Sequence, residues 1–310
     1  MTSGETPRPE SSAATPSGGA RPKSVLATRL TFWIPILSAV IGLLALDHFR
    51  GGFIGIGVLA VVFGLGAVIE FARMTRLGKG MEWASAFLVL ALLGVRAALL
   101  GETPTDAAGA IPSASHFLGV EADLLILALS PVLLVFLLLR RPLGEETLRV
   151  AATTLFGVAY IGLPLVCLLE LAAATEWGIG ALLFLVLVVK GNDSGAYLIG
   201  RKWGRTPLTA VSPKKTREGA IGGLVVGTAI GAGLALAGAV TPFSLGAAIA
   251  VAAGIGVAGQ LGDLVESALK RSAGVKDSGA LIPAFGGILD LLDSLLFAGP
   301  LLLALVHLAR

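Results

Sequence analysis

Four short stretches carry residue types that can do chemistry: "LVVKGNDSGAYLIG" at 187–200, "SPKKTREG" at 212–219, "GQLGDLVESALKR" at 259–271 and "GGILDLLDS" at 286–294. In the third, Asp263, Glu266, Ser267 and Lys270 fall at i, i+3, i+4 and i+7 and so share one helical face. In the fourth, Asp290 and Asp293 repeat the i, i+3 spacing, with Ser294 one turn from Asp290. Helix-borne carboxylates that converge with few bases nearby suggest a hard divalent cation, which takes oxygen ligands and, as Mg2+, is usually shared with substrate phosphates. The hydroxyls, paired lysines and backbone N–H groups of "SPKKTREG" suit an oligophosphate. Acids for a metal and bases for phosphate, above apolar helices, describe phosphoryl transfer at a membrane surface. A plainer reading pairs the acids with neighbouring bases at an interface. It accounts readily for Glu266 and Lys270 but less well for Asp290 and Asp293, whose own stretch holds no base.

The elements that must position these residues follow from composition. The chain has 310 residues, 55% of them hydrophobic and 14% charged, with 42 glycines and a mean hydropathy of +0.89. A soluble domain carries about a quarter charged residues, so this one belongs in a membrane. An all-α polytopic integral membrane protein is expected, because a bilayer core needs about 20 apolar helical residues per crossing. Nine candidate spans lie near 30–46, 53–69, 83–100, 117–139, 150–174, 178–200, 220–240, 243–261 and 288–308. The sixth has only twelve apolar residues before Lys190, about 18 Å of helix, so Lys190, Asn192 and Asp193 must lie within the crossing. A charge at mid-span costs about 2.5–3.5 kcal/mol, so these residues face protein, water or a metal ion.

Lys and Arg sort by loop. Twenty of the 23 fall in the tail and in the even-numbered loops, which places the amino terminus and those loops in the cytoplasm, with the protein integral to the inner membrane. The bases are spread by loop and not gathered on a soluble domain, so the net charge of +3 gives no reason to expect nucleic acid. Residues 1–25, rich in Pro, Ser, Gly and Thr, read as a disordered cytoplasmic tail, and the first apolar run as an uncleaved helix rather than a signal peptide. Residues 26–310 form the transmembrane domain. Cys167 is alone in an apolar run, so no disulfide framework or cysteine zinc site is available. His48, His116 and His307 lie near segment ends and read as interfacial. Gly223 and Gly227, in "GGLVVGTAIGAG", have the small-xxx-small spacing that lets helices approach closely.

The segment "SALKRSAGVKDSGALIPAFGGILDLLD", 267–293, resembles the carboxy-terminal signature of the phosphatidate cytidylyltransferases, also called CDP-diacylglycerol synthases. Lys270, Arg271, Lys276, Asp277, Gly279, Pro283, Gly286, Gly287, Asp290 and Asp293 stand in register. "GNDSGAYLIGRKWG" and "SPKKTREGAIGG" are also similar to that family, so the likeness runs over 190–294. It implies a Mg2+-dependent nucleotidyltransferase of phospholipid biosynthesis, converting CTP and phosphatidate to CDP-diacylglycerol and diphosphate. Its partners would be CTP, phosphatidate and membrane lipids; a second cation and a homo-oligomer are left open. On that reading Asp263, Asp290 and Lys270 are catalytic. Asp263 and Asp290 hold Mg2+, with Asp293, Asp193 and Ser267 nearby. Lys214, Lys215, Ser212, Thr216, Arg271, Lys276 and Asn192 bind substrate. Ala284, Phe285 and Leu291 stand where the family usually has Gly, His and Arg, and Arg217 where it commonly has an aromatic residue. Two other functions are weighed. An ion-coupled secondary transporter would carry mid-bilayer carboxylates and internal repeats, and a non-catalytic relative with a scaffolding role would fit the missing His and Arg.

The charge bias generates a topological expectation. Cysteine labelling from the two faces of the membrane should find the loops at 201–217 and 270–287 in the cytoplasm and the loop at 101–116 outside. Labelling of 101–116 and 201–217 from one face would overturn the nine-span reading.

Overall fold

The computed structural model describes residues 54–101, 144–173, 178–238, 243–279 and 287–308, together with isolated positions between 38 and 47. Seven helices are long and apolar enough to cross a membrane: α1 (Ile54–Met74), α2 (Lys79–Gly101), α3 (Glu145–Ala173), α4 (Gly178–Trp203), α5 (Arg217–Leu236), α6 (Leu245–Ser272) and α7 (Ile288–Leu308). Among the described residues there is no strand, only one isolated bridge between Pro207 and Thr216. These seven match seven of the nine expected spans. The spans expected at 30–46 and 117–139, like the amino-terminal tail, fall largely or wholly outside the described residues.

Polar side chains mark where the helices begin. The Asp47 carboxylate accepts from Gly55 N at 2.7 Å and Ile56 N at 2.8 Å, capping α1. Thr216 caps α5 by accepting from Gly219 N at 3.1 Å, and Ser244 caps α6 through Ala247 N at 3.4 Å. Between α1 and α2 the chain reverses through Gly78, whose φ of 82° is open to glycine at little cost.

α6 bears out the helical face read at 263–270 and extends the span expected at 243–261. It does not stop at 261 but continues unbroken through the charged segment to Ser272, 28 residues in all. At 1.5 Å per residue that is about 42 Å, longer than a hydrocarbon core of about 30 Å, so its last turns reach past the apolar layer. α4 likewise carries Lys190, Asn192 and Asp193 within one uninterrupted helix.

Two hydrophobic clusters share α7. In the first, Val68 and Phe71 of α1, Leu92 of α2, Val158 and Ile161 of α3 and Leu292 of α7 are buried together. In the second, Phe184 and Val188 of α4, Ala252 and Ile255 of α6 and Leu302 of α7 pack around Leu171. Cys167 is half-buried against this second cluster, as its apolar setting suggests. The remaining helix, α5, lies on α4 through Gly219, Gly223, Gly227 and Gly231, all buried. A Cβ on Gly223 would meet Ala196 Cβ at 2.8 Å. The glycines are therefore what lets the two backbones touch.

One buried ion pair serves the other end of the bundle. Arg96 of α2, 1% exposed, bonds the Glu170 carboxylate of α3, 6% exposed, and His307 Nε2 of α7 lies 3.6 Å from the same carboxylate. Each of these is a single charged or titratable residue in an apolar run, which was the available sign in the sequence. His307, read from the sequence as interfacial, faces an acid on a neighbouring helix.

Close α4–α5 packing leads to a graded expectation. Gly223→Val should lower stability by about 1–3 kcal/mol through overpacking, whereas Gly233→Ala, where a Cβ meets nothing within 4 Å, should be neutral or slightly stabilising. Unfolding of both variants in detergent micelles checks this; equal midpoints would remove the close-packing role.

Candidate functional site

The carboxy-terminal halves of α4 and α6 and the amino ends of α5 and α7 meet at one end of the bundle. Between α4 and α5, the loop folds back on itself, with Leu208 N donating to Lys215 O at 2.7 Å and Lys215 N to Ser212 O at 3.0 Å. That turn presents Ser212, Lys214, Lys215 and Thr216 to a cavity of about 480 Å3 whose opposite wall includes Asp193 and Asp263. The Lys215 ammonium forms an ion pair with the Asp263 carboxylate, tying the basic loop to α6.

Behind Asp263 lies a tight group of acids. Single carboxylate oxygens of Asp263, Glu266 and Asp293 all lie within 4.8 Å of one another. Glu266 is wholly buried and Asp293 is 7% exposed. Both Glu266 oxygens lack a hydrogen-bond partner, although Lys270 Nζ lies against one of them. Lys270 Nζ also donates to Asp290 Oδ1 at 2.5 Å, so one ammonium bridges α6 and α7. Asp290 Oδ2 accepts from Gly287 N at 2.7 Å and from the Ser278 hydroxyl at 3.1 Å, which places its charge at the amino end of α7, where the helix dipole favours it. Three clustered carboxylates, two of them buried and one, Glu266, with both oxygens lacking a hydrogen-bond partner, are a donor set that fits a hard divalent cation.

The positions singled out in sequence thus divide. Asp193, Ser212, Lys214, Lys215, Thr216 and Asp263 line the cavity. Asp263 is grouped with Glu266 and Asp293, while Asp290 is paired with Lys270. The base that Asp290 lacked in its own stretch arrives from α6. Asn192 is fully buried in the α4–α6 contact: its amide donates to Gly256 O at 3.3 Å, and its oxygen accepts from Gln260 Nε2 at 2.9 Å. Thr216 has its hydroxyl committed to the cap of α5. The first-turn amides are engaged as well, Arg217 N with Thr206 O at 2.9 Å and Gly219 N with Thr216, so anion binding there falls mainly to side chains. Ser267 is half-buried on α6; Arg271 and Lys276 are exposed beyond it.

Four residues that sequence reasoning left out of the site are Glu266, Gln260, Tyr160 and Glu70. Glu266 and Gln260 both lie one helical turn from Asp263, a spacing that was visible. Tyr160 of α3 has a buried hydroxyl without a hydrogen-bond partner, in the electrostatic field of Glu266, Asp293 and Asp263. Nothing local marked it. Glu70 of α1, a lone acid at the end of an apolar span, accepts from Leu289 N at 3.0 Å.

A helical membrane bundle with buried carboxylates at one end, walled by a lysine-bearing loop, defines a polytopic membrane protein with a charged cavity at that end. The model of the cytidylyltransferase family matches residues 27–309, and the chain belongs to that family. It is 39% identical over 150 residues to the phosphatidate cytidylyltransferase of Bacillus subtilis (strain 168), covering 48% of this chain and 55% of that protein. Over 180 residues it is 37% identical to the phosphatidate cytidylyltransferase of Staphylococcus saprophyticus, 57% of this chain and 66% of the relative. It is also 44% identical over 124 residues to the uncharacterized protein YnbB of Escherichia coli (strain K12), 39% of this chain and 41% of that one. The chain spans between 41% and 66% of the length of these relatives.

The double role of Lys270 is open to measurement. Its side chain is 13% exposed between two carboxylates. Lys270→Met should destabilise the protein by about 3 kcal/mol, the usual cost of stripping a counter-charge from a buried acid. Lys276→Ala, on the exposed loop, should change stability by about 0.5 kcal/mol or less. Chemical unfolding in micelles compares them, and a Lys270→Met midpoint equal to the parent's would sink the bridge.

Proposed function

We propose that the protein is a phosphatidate cytidylyltransferase, forming CDP-diacylglycerol and diphosphate from CTP and phosphatidate. The observation that carries this reading is the Lys215–Asp263 ion pair, which brings the basic loop and the buried carboxylates to one cavity. Family membership and the names of the curated relatives support it.

In the reaction, a phosphate oxygen of the lipid attacks the α-phosphorus of CTP. One P–O bond forms, the bond from that phosphorus to the α–β bridging oxygen breaks, and diphosphate leaves with the electron pair. The attacking oxygen is already anionic, so the residues need chiefly to align it and neutralise charge. Lys214 and Lys215, with the Ser212 hydroxyl, would hold the triphosphate at the cavity wall. Arg271 and Lys276, exposed at the same end, would meet the lipid phosphate at the surface. Asp263, Glu266 and Asp293 would hold Mg2+, which when bound supplies charge neutralisation at the phosphates. Lys270 keeps Asp290 drawn toward that group. The same charge distribution favours a cytoplasmic placement of the site, with the apolar helices keeping the acyl chains of the lipid in the bilayer. Asp193, on the other wall, is half-buried and 3.4 Å from Lys190, which screens it.

Purified protein given CTP and phosphatidate in mixed micelles should release diphosphate only when Mg2+ is present. Asp263→Asn and Asp293→Asn should each lower turnover at least about 100-fold, near 2.7 kcal/mol of transition-state stabilisation, while Lys276→Ala stays within about tenfold. Folded protein without lipid-dependent diphosphate release, or an Asp263→Asn variant with parental turnover, would defeat the proposal. Transport without turnover, or neither, would point to the other two functions weighed from sequence.

A further inference from the structure

Glu70 is a buried acid that the proposed chemistry does not use. It lies one turn from the end of α1 and is 2% exposed. The nearest base on its own helix, Arg73, is engaged elsewhere, with Glu82 at 2.7 Å. An isolated carboxylate in such a place is costly unless its oxygens are bonded. Oε2 is: it accepts from Leu289 N, in the first turn of α7, at 3.0 Å and from the Ser278 hydroxyl at 3.3 Å. Oε1 is buried without a hydrogen-bond partner.

The environment is shaped around this side chain. A Cβ on Gly279 would lie 2.6 Å from Glu70 Cδ, and one on Gly287 would lie 2.9 Å from the same atom. Two glycines, one on each side of the loop before α7, therefore leave room for the carboxylate, and a larger residue at either would evict it. Ser278 connects it to the site, because the same hydroxyl lies 3.1 Å from Asp290 Oδ2. A hydroxyl has one proton, so Ser278 can donate to only one of the two acids at a time. Asp290 in turn holds Gly287 N and Lys270. The chain of contacts thus runs from α1 through Ser278 to Asp290, then through Lys270 to Glu266. Glu70 thus ties the first helix directly to the first turn of α7.

We propose that Glu70 is a positioning residue for the nucleotidyl transfer. From α1 it fixes the amino end of α7 and orients the Ser278 hydroxyl, so that Asp290 keeps its grip on Lys270 and Asp293 keeps its place beside Asp263 and Glu266. The inference rests on the function proposed above. It assigns Glu70 no contact with substrate.

Glu70→Gln retains an acceptor oxygen for Leu289 N and Ser278, whereas Glu70→Ala retains none. The alanine variant should lose at least about tenfold in kcat, with KM for CTP changed less than about threefold, because the substrate-holding loop at 212–216 is untouched. The glutamine variant should return kcat to within about threefold of the parent. Hydrogen exchange at the Leu289 amide, measured without substrates, should quicken in the alanine variant and stay near parental in the glutamine variant. An alanine variant with kcat within twofold of the parent overturns the proposal. So does a glutamine variant no better than alanine, which would reduce Glu70 to packing. Should the parent itself release no diphosphate from CTP with phosphatidate, the functional reading fails separately, and the exchange measurement decides Glu70: parental exchange in the alanine variant then overturns it.

Discussion

Carboxylates in an apolar helical bundle are unstable neighbours: each loses hydration on burial, and like charges a few ångströms apart repel. Among Asp263, Glu266, Asp290 and Asp293, lysines offset the charge of the first three, while Asp293 accepts from Ser294. Lys270 does most of this. From a single position on α6 it serves Glu266 on its own helix and Asp290 on α7, while Lys215 reaches Asp263 from the α4–α5 loop. The overlong α6 follows from this requirement, since Lys270 must be carried past the apolar layer on a rigid element to meet the start of α7.

α7 is the element through which the bundle is coupled. Its apolar face contributes Leu289, Leu292 and Leu296 to one hydrophobic cluster and Ala298, Leu302 and Val306 to the other. Its amino end takes its orientation from Asp290 and Glu70, and its other end brings His307 to the Arg96–Glu170 pair. Polar contacts at both ends of an otherwise apolar helix define its depth and rotation, which hydrophobic packing against lipid-like surroundings defines weakly. Rotation of α7 by one residue, about 100°, would carry Asp293 away from Asp263 and Glu266.

α5 shows the opposite solution. It has few large buried side chains and relies on backbone approach, with Gly223 and Gly227 against Asn192 and Val188 of α4. The exposed Ile221 and Val225 on its outer side suit a lipid environment. Close backbone contact keeps its capped amino end, and hence Lys214 and Lys215, at a constant distance from α4 and Asp193.

Much of this protein is written locally. Long apolar runs require helices, because an unpaired backbone has no partner in a bilayer, and seven of the expected spans match helices of the structure on that ground alone. Family membership was legible from the residues at 190–294, and so was the gathering of Asp263, Asp293 and Lys215 at one end of the bundle, since helical periodicity and spacing are local properties. Partners across helices were not legible. That Lys270 answers Asp290, that Glu266 and not Asp290 completes the tight carboxylate group, that Asn192 and Thr216 have their polar atoms engaged in packing and capping, and that Glu70 and Tyr160 reach the same end of the bundle depend on how helices distant in sequence are rotated against each other. Such rotation is decided by tertiary packing and by the cost of leaving a buried charge alone, which no single stretch of sequence contains.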